Sequence, residues 1–440
     1  MKNTRTLYNA VRNQGGHISF HTPGHRFRCE DTIVPAFADT TEISVTDELY
    51  HPVGPILTAE KEAAEAFGVK NVCFSAGGAT LCIQTALSFY AGKKVLTERS
   101  CHISVINASA LLDIDLHFAW GQPHEKMGFA VPVTPEQIET MLKSGGYSAV
   151  FITSPNYYGM CADVKGIRAI CDEYGVDLIT DNSHGSHLSA MYPDDRYRNA
   201  EKHSHFAINS LHKTLPVMTG GAVLCSNTDI SKEKIKQHMA IFGSTSPSFP
   251  ILASVDFGIA HLAENTEEYL KTANKVAALA DKVKALGYGV LPNQKGDTLR
   301  LCLDTFPMGY YGSEVAELIE EKGIFAEMTK DCALVFLFSP FNTDEDLDAL
   351  YSALASIKKR TKIPYQKVIL PNPPKRIFTL KEALLSPTEY IPTDASAGRI
   401  SAETFATCPP GMAIVVSGEE ISEEAAKTLS KHKKWVEVIA

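Results

Sequence analysis

The chain has 440 residues, of which 44% are hydrophobic and 21% are charged, so it is long enough to form two or three domains with their own cores. Its formal net charge of −9 argues against nucleic acids and anionic membranes as partners and suits cationic substrates. No stretch has the length and apolar character of a membrane span, and no hydrophobic signal core follows residues 1–5. We therefore expect a cytoplasmic protein, and the ten scattered cysteines, without C-x-x-C pairs, are typical of reduced thiols.

Strand and helix patterns alternate along most of the chain, which predicts an α/β fold with a mostly parallel sheet. Candidate strands of the principal sheet lie at 71–75, 94–97, 114–119, 148–153, 176–181, 205–209 and 221–225. The pattern of helices, strands and prolines predicts four parts with boundaries at 1–55, 56–290, 291–362 and 363–440. These are an amino-terminal arm, a major domain, a small α+β domain and a carboxy-terminal domain.

A glycine turn connects the candidate strand Asn71–Ser75 to an apolar-periodic helix that starts near Leu81. Glycines let backbone N–H groups approach an anion, and a helix amino terminus adds unpaired donors and a favourable dipole. The turn predicts a phosphate-binding role for Gly78, Ala79 and Thr80, with a plain connection as the alternative. It has neither G-x-G-x-x-G nor a G-K-[ST] ending, which disfavours dinucleotides and nucleoside triphosphates.

Two candidate functional side chains lie at or just beyond the ends of candidate strands, where open α/β sheets bind ligands. His102 heads the helical stretch after Val95–Thr97, and its ring could stack on a flat cofactor or act as a structural hydrogen-bonding group. Asp181 ends the apolar run Val176–Asp181, and its carboxylate could pair with a protonated pyridine nitrogen or cap the following turn. Opposite charges a few ångströms apart would favour the ionised form of both partners.

The tetrapeptide Ser210-Leu211-His212-Lys213 follows the candidate strand 205–209 and precedes Thr219-Gly220-Gly221. A lysine amine forms an imine with an aldehyde cofactor when it is held, partly desolvated, against the carbonyl carbon. The neighbouring hydroxyl of Ser210 and imidazole of His212 can hold a phosphate. Together with Asp181 upstream, this pattern predicts a pyridoxal 5′-phosphate (PLP) site around Lys213.

Several different short motifs are distributed along nearly the whole chain. The amino-terminal and central ones are Phe20–His25, Asp39–Glu42, Asp47–Leu49, Gly54–Ile56, Ser154–Gly159, Asp181–His187, Ser210–Leu215 and Gly243–Ser248. The carboxy-terminal ones are Gly398–Glu403, Pro409–Gly411 and Ser417–Glu419. In this order they resemble the motifs of the Orn/Lys/Arg decarboxylase family, among them F-H-x-P-G-H, S-P-T-Y-Y-G, D-E-A-H-G-A-H, S-T-H-K-T-L and G-R-I-S-A-E. Members of that family are PLP enzymes of fold type I, the aspartate aminotransferase fold.

The resemblance implies a role for each candidate residue. Lys213 would attach the cofactor, Asp181 would pair with its pyridine nitrogen, and His102 would stack on its ring. His184 would line the pocket on the side where substrate enters. The phosphate would be bound by Gly78, Ala79, Thr80, Ser210 and His212. The resemblance also implies an amino acid substrate, a homodimer or larger homo-oligomer with the active site at its interface, and no metal.

The chain departs from the family pattern near this chemistry. Ile103 replaces a lysine, Asn182 and Ser183 replace the glutamate and alanine of D-E-A-H-G, and Cys408 and Ser417 replace an aromatic residue and a proline. Gly78 and Ala79 also stand where the family's phosphate turn carries hydroxyl groups. Cofactor binding tolerates such changes more easily than substrate identity does.

The predicted function is PLP-dependent decarboxylation of lysine, ornithine or arginine to an amine and CO2. One alternative is another fold type I reaction, such as transamination or β-elimination, with Arg399 available to bind a carboxylate. Another is a PLP-binding protein with lost or regulatory activity, which the departures above favour. A metal hydrolase is the third alternative, based on the histidine pairs at 21/25, 184/187 and 203/205, although no acids or cysteines complete a zinc set.

A basic substrate side chain needs an acidic partner. The candidates are Asp47, Glu48, Asp394, Glu403 and Glu419, and the alternative for each is a solvated surface carboxylate.

Overall fold

The computed structural model describes residues 5–12, 39–291, 295–365, 374–406 and 412–440. The predicted motifs Phe20–His25 and Pro409–Gly411, together with Cys408, lie outside these residues. The largest unit is a seven-stranded sheet of β1 (Asn71–Ser75), β2 (Lys94–Glu98), β3 (Asp115–Ala119), β4 (Tyr147–Thr153), β5 (Asp177–Asp181), β6 (Phe206–Asn209) and β7 (Ala222–Ser226).

The strands of this sheet lie in the order β1-β7-β6-β5-β4-β2-β3. Strands β2 to β6 pair in parallel with their neighbours in this set, and β7 pairs antiparallel with both β1 and β6. Their nearly continuous apolar runs are typical of strands buried on both faces. Each predicted strand is present within one residue at either end, and the prediction of an α/β fold with a mostly parallel sheet is confirmed.

Helices cover both faces of the sheet. They are α1 (Thr6–Arg12), α2 (Pro55–Phe67), α3 (Gly78–Ser88), α4 (Ile103–Leu111), α5 (Pro135–Leu142), α6 (Val164–Glu173), α7 (Leu188–Met191), α8 (Ala200–His203), α9 (Lys232–Phe242), α10 (Phe249–Glu264) and α11 (Thr266–Ala285). Those from α3 to α8 lie in the connections between the strands of the sheet. Local signals mark their ends: Thr134 and Gln137 form a capping box before α5, and Gly68 ends α2 with φ of 66°. None of the described helices is both long and apolar enough to cross a membrane.

A second sheet follows the long helix α11. It contains β8 (Gly289–Val290), β9 (Arg300–Asp304), β10 (Met328–Lys330) and β11 (Ala333–Leu337), in the antiparallel order β10-β11-β9-β8. The helices α12 (Gly312–Glu320) and α13 (Asp344–Ala355) pack their apolar faces against it and against α11. This sheet therefore has a hydrophobic core separate from that of the first sheet.

The last part of the chain forms two small antiparallel sheets. Its elements are α14 (Leu380–Leu385), β12 (Thr388–Pro392), β13 (Phe405–Ala406), β14 (Ala413–Val415), α15 (Glu423–Leu429) and β15 (Trp435–Ile439). Strand β12 pairs with β15, and β13 pairs with β14. The four domain limits expected from the sequence stay a prediction.

A buried ion pair connects this last part to the main sheet. Arg99, directly after β2, donates from its two terminal nitrogens to the carboxylate oxygens of Glu419 at 2.5 and 2.6 Å. Its Nε donates to the carbonyl of Ala413 at 2.9 Å, and the guanidinium lies over the rings of Phe118 and Trp120. The two charged side chains are 1% and 4% exposed. Since neither charge can be hydrated, each depends on the other.

The variant Glu419→Gln should lower the free energy of unfolding by about 3–5 kcal/mol, because it leaves the Arg99 charge buried without a counter-ion. Urea unfolding followed by circular dichroism measures this loss. The matched control is Glu389→Gln, which removes a half-exposed partner of Arg399 at 2.6 Å and should cost less than about 1 kcal/mol. Equal losses in the two variants would contradict the importance of burial for the Arg99 pair.

Candidate functional site

All nine site residues predicted from the sequence line one cavity of about 200 Å³. They come from the ends of β1, β2, β5 and β6 and the turns that follow. The complete lining is Gly78, Ala79, Thr80, Ile83, His102, Thr153, Tyr157, Asp181, Ser183, His184, Ser210, His212 and Lys213. The cavity therefore lies at the carboxyl ends of the parallel strands, where α/β sheets bind ligands.

One wall of the cavity is the glycine turn between β1 and α3. Gly78 has φ of 68°, a left-handed conformation that favours glycine, and its N–H donates to the carbonyl of Gly220 at 2.8 Å. Ala79 and Thr80 follow in the first turn of α3, where N–H groups have no acceptor within the helix. The helix amino terminus thus presents donors and a positive dipole to the cavity.

Another wall of the cavity is the short 3₁₀ turn Leu211–Lys213, which follows β6. The Nδ1 atom of His212 lies 3.3 Å from the carbonyl oxygen of Gly221 and 3.3 Å from the hydroxyl of Ser210. Since the carbonyl only accepts, Nδ1 carries the proton in that bond and the ring orientation is fixed. Burial lowers the pKa of His212.

The floor of the cavity is built from side chains at the ends of β5 and β2. Asp181 is buried, and its Oδ1 accepts the N–H of Ser183 at 3.1 Å, so the carboxylate is held by its own turn. His102 caps α4: its Nδ1 accepts the N–H of Ser104 at 3.2 Å, which fixes the ring and leaves Nε2 for other partners. Burial lowers the pKa of His102 and favours a neutral imidazole.

A buried polar network lies behind Asp181. The amide nitrogen of Asn182 donates to Glu201 at 3.0 Å and to the side-chain oxygen of Asn209 at 2.8 Å. Burial raises the pKa of Glu201 to about 8, so this carboxyl is protonated and uncharged at neutral pH. The turn that presents Asp181 is therefore supported by neutral hydrogen-bonding groups.

Lys213 and His184 meet inside the cavity. The Nζ atom of Lys213 lies 2.9 Å from Nε2 of His184. Burial lowers the pKa of the Lys213 amine, with an opposing effect from Asp181. Burial, then the charges of Arg300 and Lys213, hold the pKa of His184 well below its ordinary value. The amine is therefore closer to its neutral, nucleophilic state than a surface lysine is.

Arg300 is a site residue that the sequence analysis missed. It lies in β9 of the second sheet, and its Nη2 reaches Nδ1 of His184 at 3.2 Å. Its Nη1 donates to the carbonyls of Asn156 and Tyr157 at 2.9 and 2.8 Å. No local pattern around Arg300 distinguishes it from a charged strand residue, because only packing of the two sheets brings it against His184 of the cavity lining. Thr153 was also missed; its buried hydroxyl has no hydrogen-bond partner among the described residues.

The five acidic candidates for a substrate side chain lie away from the described lining of this cavity. Asp47 accepts backbone N–H groups of Glu48, Val53, Gly54 and Ile56, so its carboxylate serves its own loop. Glu419 pairs with Arg99, Glu403 with Lys433, and Glu48 with His51. Asp394 is exposed in the 3₁₀ turn Thr393–Ala395.

Among the described histidines that raised a metal hypothesis, His184, His187 and His205 have other partners, whereas Nε2 of His203 is buried without a hydrogen-bond partner in the described part of the chain. His187 bonds Asp297 at 2.9 Å, and His205 lies 3.2 Å from Asp177. Among the described residues, no three His, Cys, Asp or Glu side chains come together as metal ligands. The cysteines in the same ranges are free thiols.

The architecture defines the class of protein. The mostly parallel seven-stranded sheet, followed by a second, smaller sheet, is the fold of PLP-dependent enzymes of fold type I, and the predicted fold class is confirmed. A solved SPT structure with PLP matches at a TM-score of 0.55 and 15% identity over 68% of this chain and 75% of that one. The Francisella novicida lysine decarboxylase matches at a TM-score of 0.83 and 17% identity over 100% of this chain and 81% of that one.

The chain belongs to the Orn/Lys/Arg decarboxylase family. The model of the Orn/Lys/Arg decarboxylase major domain matches residues 4–287, and that of the carboxy-terminal domain matches residues 371–436. Arginine decarboxylase of Bacillus subtilis (strain 168) is 26% identical over 97% of this chain and 93% of its own length. The family prediction made from the motifs is confirmed.

The Glu201 carboxyl predicts a pH dependence of stability. Between its ordinary pKa of 4.5 and the folded value of about 8, the folded protein holds a proton that the unfolded chain has released. The Glu201 carboxyl therefore contributes a loss of stability as pH rises through this window, of up to about 1.4 kcal/mol per pH unit. The variant Glu201→Gln keeps a neutral side chain of the same shape and should lack this contribution, so it should lose less stability than the wild type between the two pH values. Thermal unfolding at about pH 5 and about pH 8 compares the two proteins.

The exposed glutamate of α6 offers a control, since Glu173→Gln should leave the wild-type decline intact. A decline in Glu201→Gln as large as that of the wild type would contradict the role of Glu201.

Proposed function

We propose that this protein binds PLP in the described cavity and decarboxylates a basic amino acid to the corresponding amine and CO2. The observation that carries this proposal is the placement of the Lys213 amine in one cavity with the Asp181 carboxylate and the amino terminus of α3. Family membership supports the reaction class, and the lysine and arginine decarboxylases among its relatives support the substrate class.

The donors present in the cavity fit PLP. A phosphate needs N–H and hydroxyl donors, and these are available from Ala79, Thr80, Ser210 and the first turn of α3. A pyridine nitrogen that is to stay protonated needs a carboxylate, which Asp181 supplies. The aldehyde needs an amine of lowered pKa, which Lys213 supplies. The unpartnered hydroxyl of Thr153 is a further polar group available to a ligand.

PLP supplies, when bound, an aldehyde that couples to amines and a protonated ring that accepts the electron pair of the breaking Cα–carboxylate bond. The residues of this chain do the rest. Asp181 would pair with the ring nitrogen and keep it protonated, and His102 would contact the ring. Lys213 would attach the aldehyde until the substrate amine replaces it. Once free, Lys213 Nζ lies beside His184 Nε2, and these two atoms are the groups that can carry a proton to Cα after CO2 leaves.

The proposed substrate is lysine, ornithine or arginine, in agreement with the acidic net charge of −9. No acidic candidate lines the described part of the cavity, so the partner of the substrate's distal charge comes from elsewhere. We propose that a second copy of the chain completes the site in a homodimer. We also propose that the protein works in the cytoplasm.

Purified protein incubated with PLP and equal amounts of lysine, ornithine and arginine should release CO2 and one predominant amine. Mass spectrometry of the products identifies the substrate as the precursor of cadaverine, putrescine or agmatine. Keto acid products would instead assign a transamination, and a visible cofactor band without any product would assign a PLP-binding protein that lacks this activity.

The variant Lys213→Ala should lose the visible absorbance of attached PLP and all decarboxylation, because the amine that couples to the aldehyde is gone. Lys202→Ala, which changes a half-exposed lysine paired with Asp194, should keep both. A retained absorbance band in Lys213→Ala would refute the assignment of this lysine.

The variant Asp181→Asn should keep PLP attached to Lys213 but lower kcat about 10²–10³-fold, because an amide cannot keep the ring nitrogen protonated. The matched control is Asp177→Asn at the other end of β5, which should change kcat little. Steady-state kinetics and the absorbance spectrum test both statements. A kcat within about twofold of the wild type would contradict the role of Asp181.

A further inference from the structure

We propose that Arg300 is a positioning residue that keeps the proton of His184 on Nε2 and thereby holds Lys213 as a neutral amine. Arg300 belongs to β9 of the second sheet, whereas His184 and Lys213 follow β5 and β6 of the first. The inference rests on the proposed function, since it matters only if Lys213 attacks an aldehyde, which requires a neutral amine.

First, the chemistry of the guanidinium sets the direction of the hydrogen bond between Arg300 and His184. A guanidinium has only N–H donors and no acceptor. Its Nη2 lies 3.2 Å from Nδ1 of His184, so Nδ1 must accept and cannot carry a proton. A neutral imidazole has one proton, which is therefore on Nε2.

The second step concerns the other side of the imidazole ring. Nε2 of His184 lies 2.9 Å from Nζ of Lys213. Because Nε2 carries the proton, it donates, and Nζ must offer a lone pair. An ammonium has three N–H donors and no lone pair, so it would meet Nε2–H donor to donor. The contact is satisfied only when Lys213 is neutral.

The third step is that Arg300 cannot turn away. Its side chain is 1% exposed, and its Nη1 donates to the carbonyls of Asn156 and Tyr157. Asp297 lies 3.5 Å from its Nε, and Gly159 packs so closely that a Cβ there would stand 3.1 Å from the Arg300 side chain. The guanidinium is therefore fixed relative to the ring of His184.

The surrounding charges act in both directions. The charged and titratable groups that face Lys213 or His184 are Asp181, Glu327, Arg300, His102, His212 and Tyr157, whose ring centroid lies 4.2 Å from that of His184 and 5.7 Å from Nζ of Lys213. Asp181 and Glu327 favour an ammonium at Lys213, whereas burial and Arg300 oppose it. Burial is the largest cause, and the pKa of Lys213 is lowered. The direction agrees with the one required by the hydrogen bonds.

The rate at which the PLP-free full-length protein attaches added PLP, followed by visible absorbance across a pH series, tests the proposal. In Arg300→Met, Lys213 can hold an ammonium that donates to His184, so the pH midpoint of the attachment rate should rise by about one unit. At pH 7 this corresponds to a rate about tenfold lower. The variant Arg300→Lys keeps a cation that only donates hydrogen bonds, so its pH midpoint should lie closer to that of the wild type than the midpoint of Arg300→Met does.

The control Arg360→Met removes an exposed arginine of the same domain and should leave the midpoint unchanged. A purely structural role of Arg300 would lower the fraction of active protein without moving the midpoint. An unmoved midpoint in folded Arg300→Met therefore overturns the proposal.

A second measurement reads the ring of His184 in the wild-type chain, and a variant serves only to assign the His184 signal. NMR with selectively labelled histidine, with the His184 signal assigned from its loss in His184→Gln, should show a neutral ring protonated on Nε2 near pH 7. A ring protonated on Nδ1, or on both nitrogens, would overturn the proposal. This result needs no PLP and no turnover, so a wild-type protein that fails to attach PLP would refute the proposed function separately.

Discussion

The site depends on the parallel alignment of β4, β5 and β6, whose carboxyl ends share one edge of the main sheet. Thr153 ends β4 and pairs in register with Asp181, which ends β5 and pairs with Ile208 of β6. Ser210 follows directly after β6. Residues far apart in the sequence thus become neighbours through backbone register alone. The lysine turn then needs only a short step beyond β6 to face the aspartate.

The second sheet contributes buried side chains to the surroundings of the site that the first sheet forms. Arg300, Asp297 and His187 are buried charged or polar groups at the contact between the two sheets, and Asp297 lies 2.9 Å from His187 and 3.5 Å from Nε of Arg300. Buried charges are tolerated only when they are paired and hydrogen-bonded, so this contact has a narrow range of acceptable geometries. The packing of the second sheet is therefore coupled to the protonation of groups in the cavity. A change in that packing would act on the chemistry as well as on stability.

The departure from the family motif at Asn182 has a structural context. The family carries a glutamate at this position, directly after the aspartate, whereas here the amide of Asn182 meets the carboxyl of Glu201 from α8. Since burial raises the pKa of Glu201 to about 8, the network is uncharged at neutral pH. Asp181 therefore has fewer competing negative charges nearby. The change is compatible with a strand-end carboxylate that pairs with a cationic ring.

The sequence by itself determined the strands of the main sheet, the helices that follow them and nine of the thirteen residues that line the cavity, because apolar runs, glycine turns and strand-end polar residues are local patterns. The class of protein could be predicted for the same reason, because the family motifs are also short local patterns. Only the tertiary structure decided that Arg300, Thr153 and the network around Glu201 lie at or beside the cavity. Their contacts join residues from different sheets or from elements distant along the chain, and no local pattern records such contacts. The five acidic candidates for the substrate side chain show the same limit. Asp47 and Glu419 are carboxylates of the right charge, but Asp47 accepts hydrogen bonds from its own loop and Glu419 pairs with Arg99. A side chain's partner is set by packing, which the sequence specifies only through the whole fold.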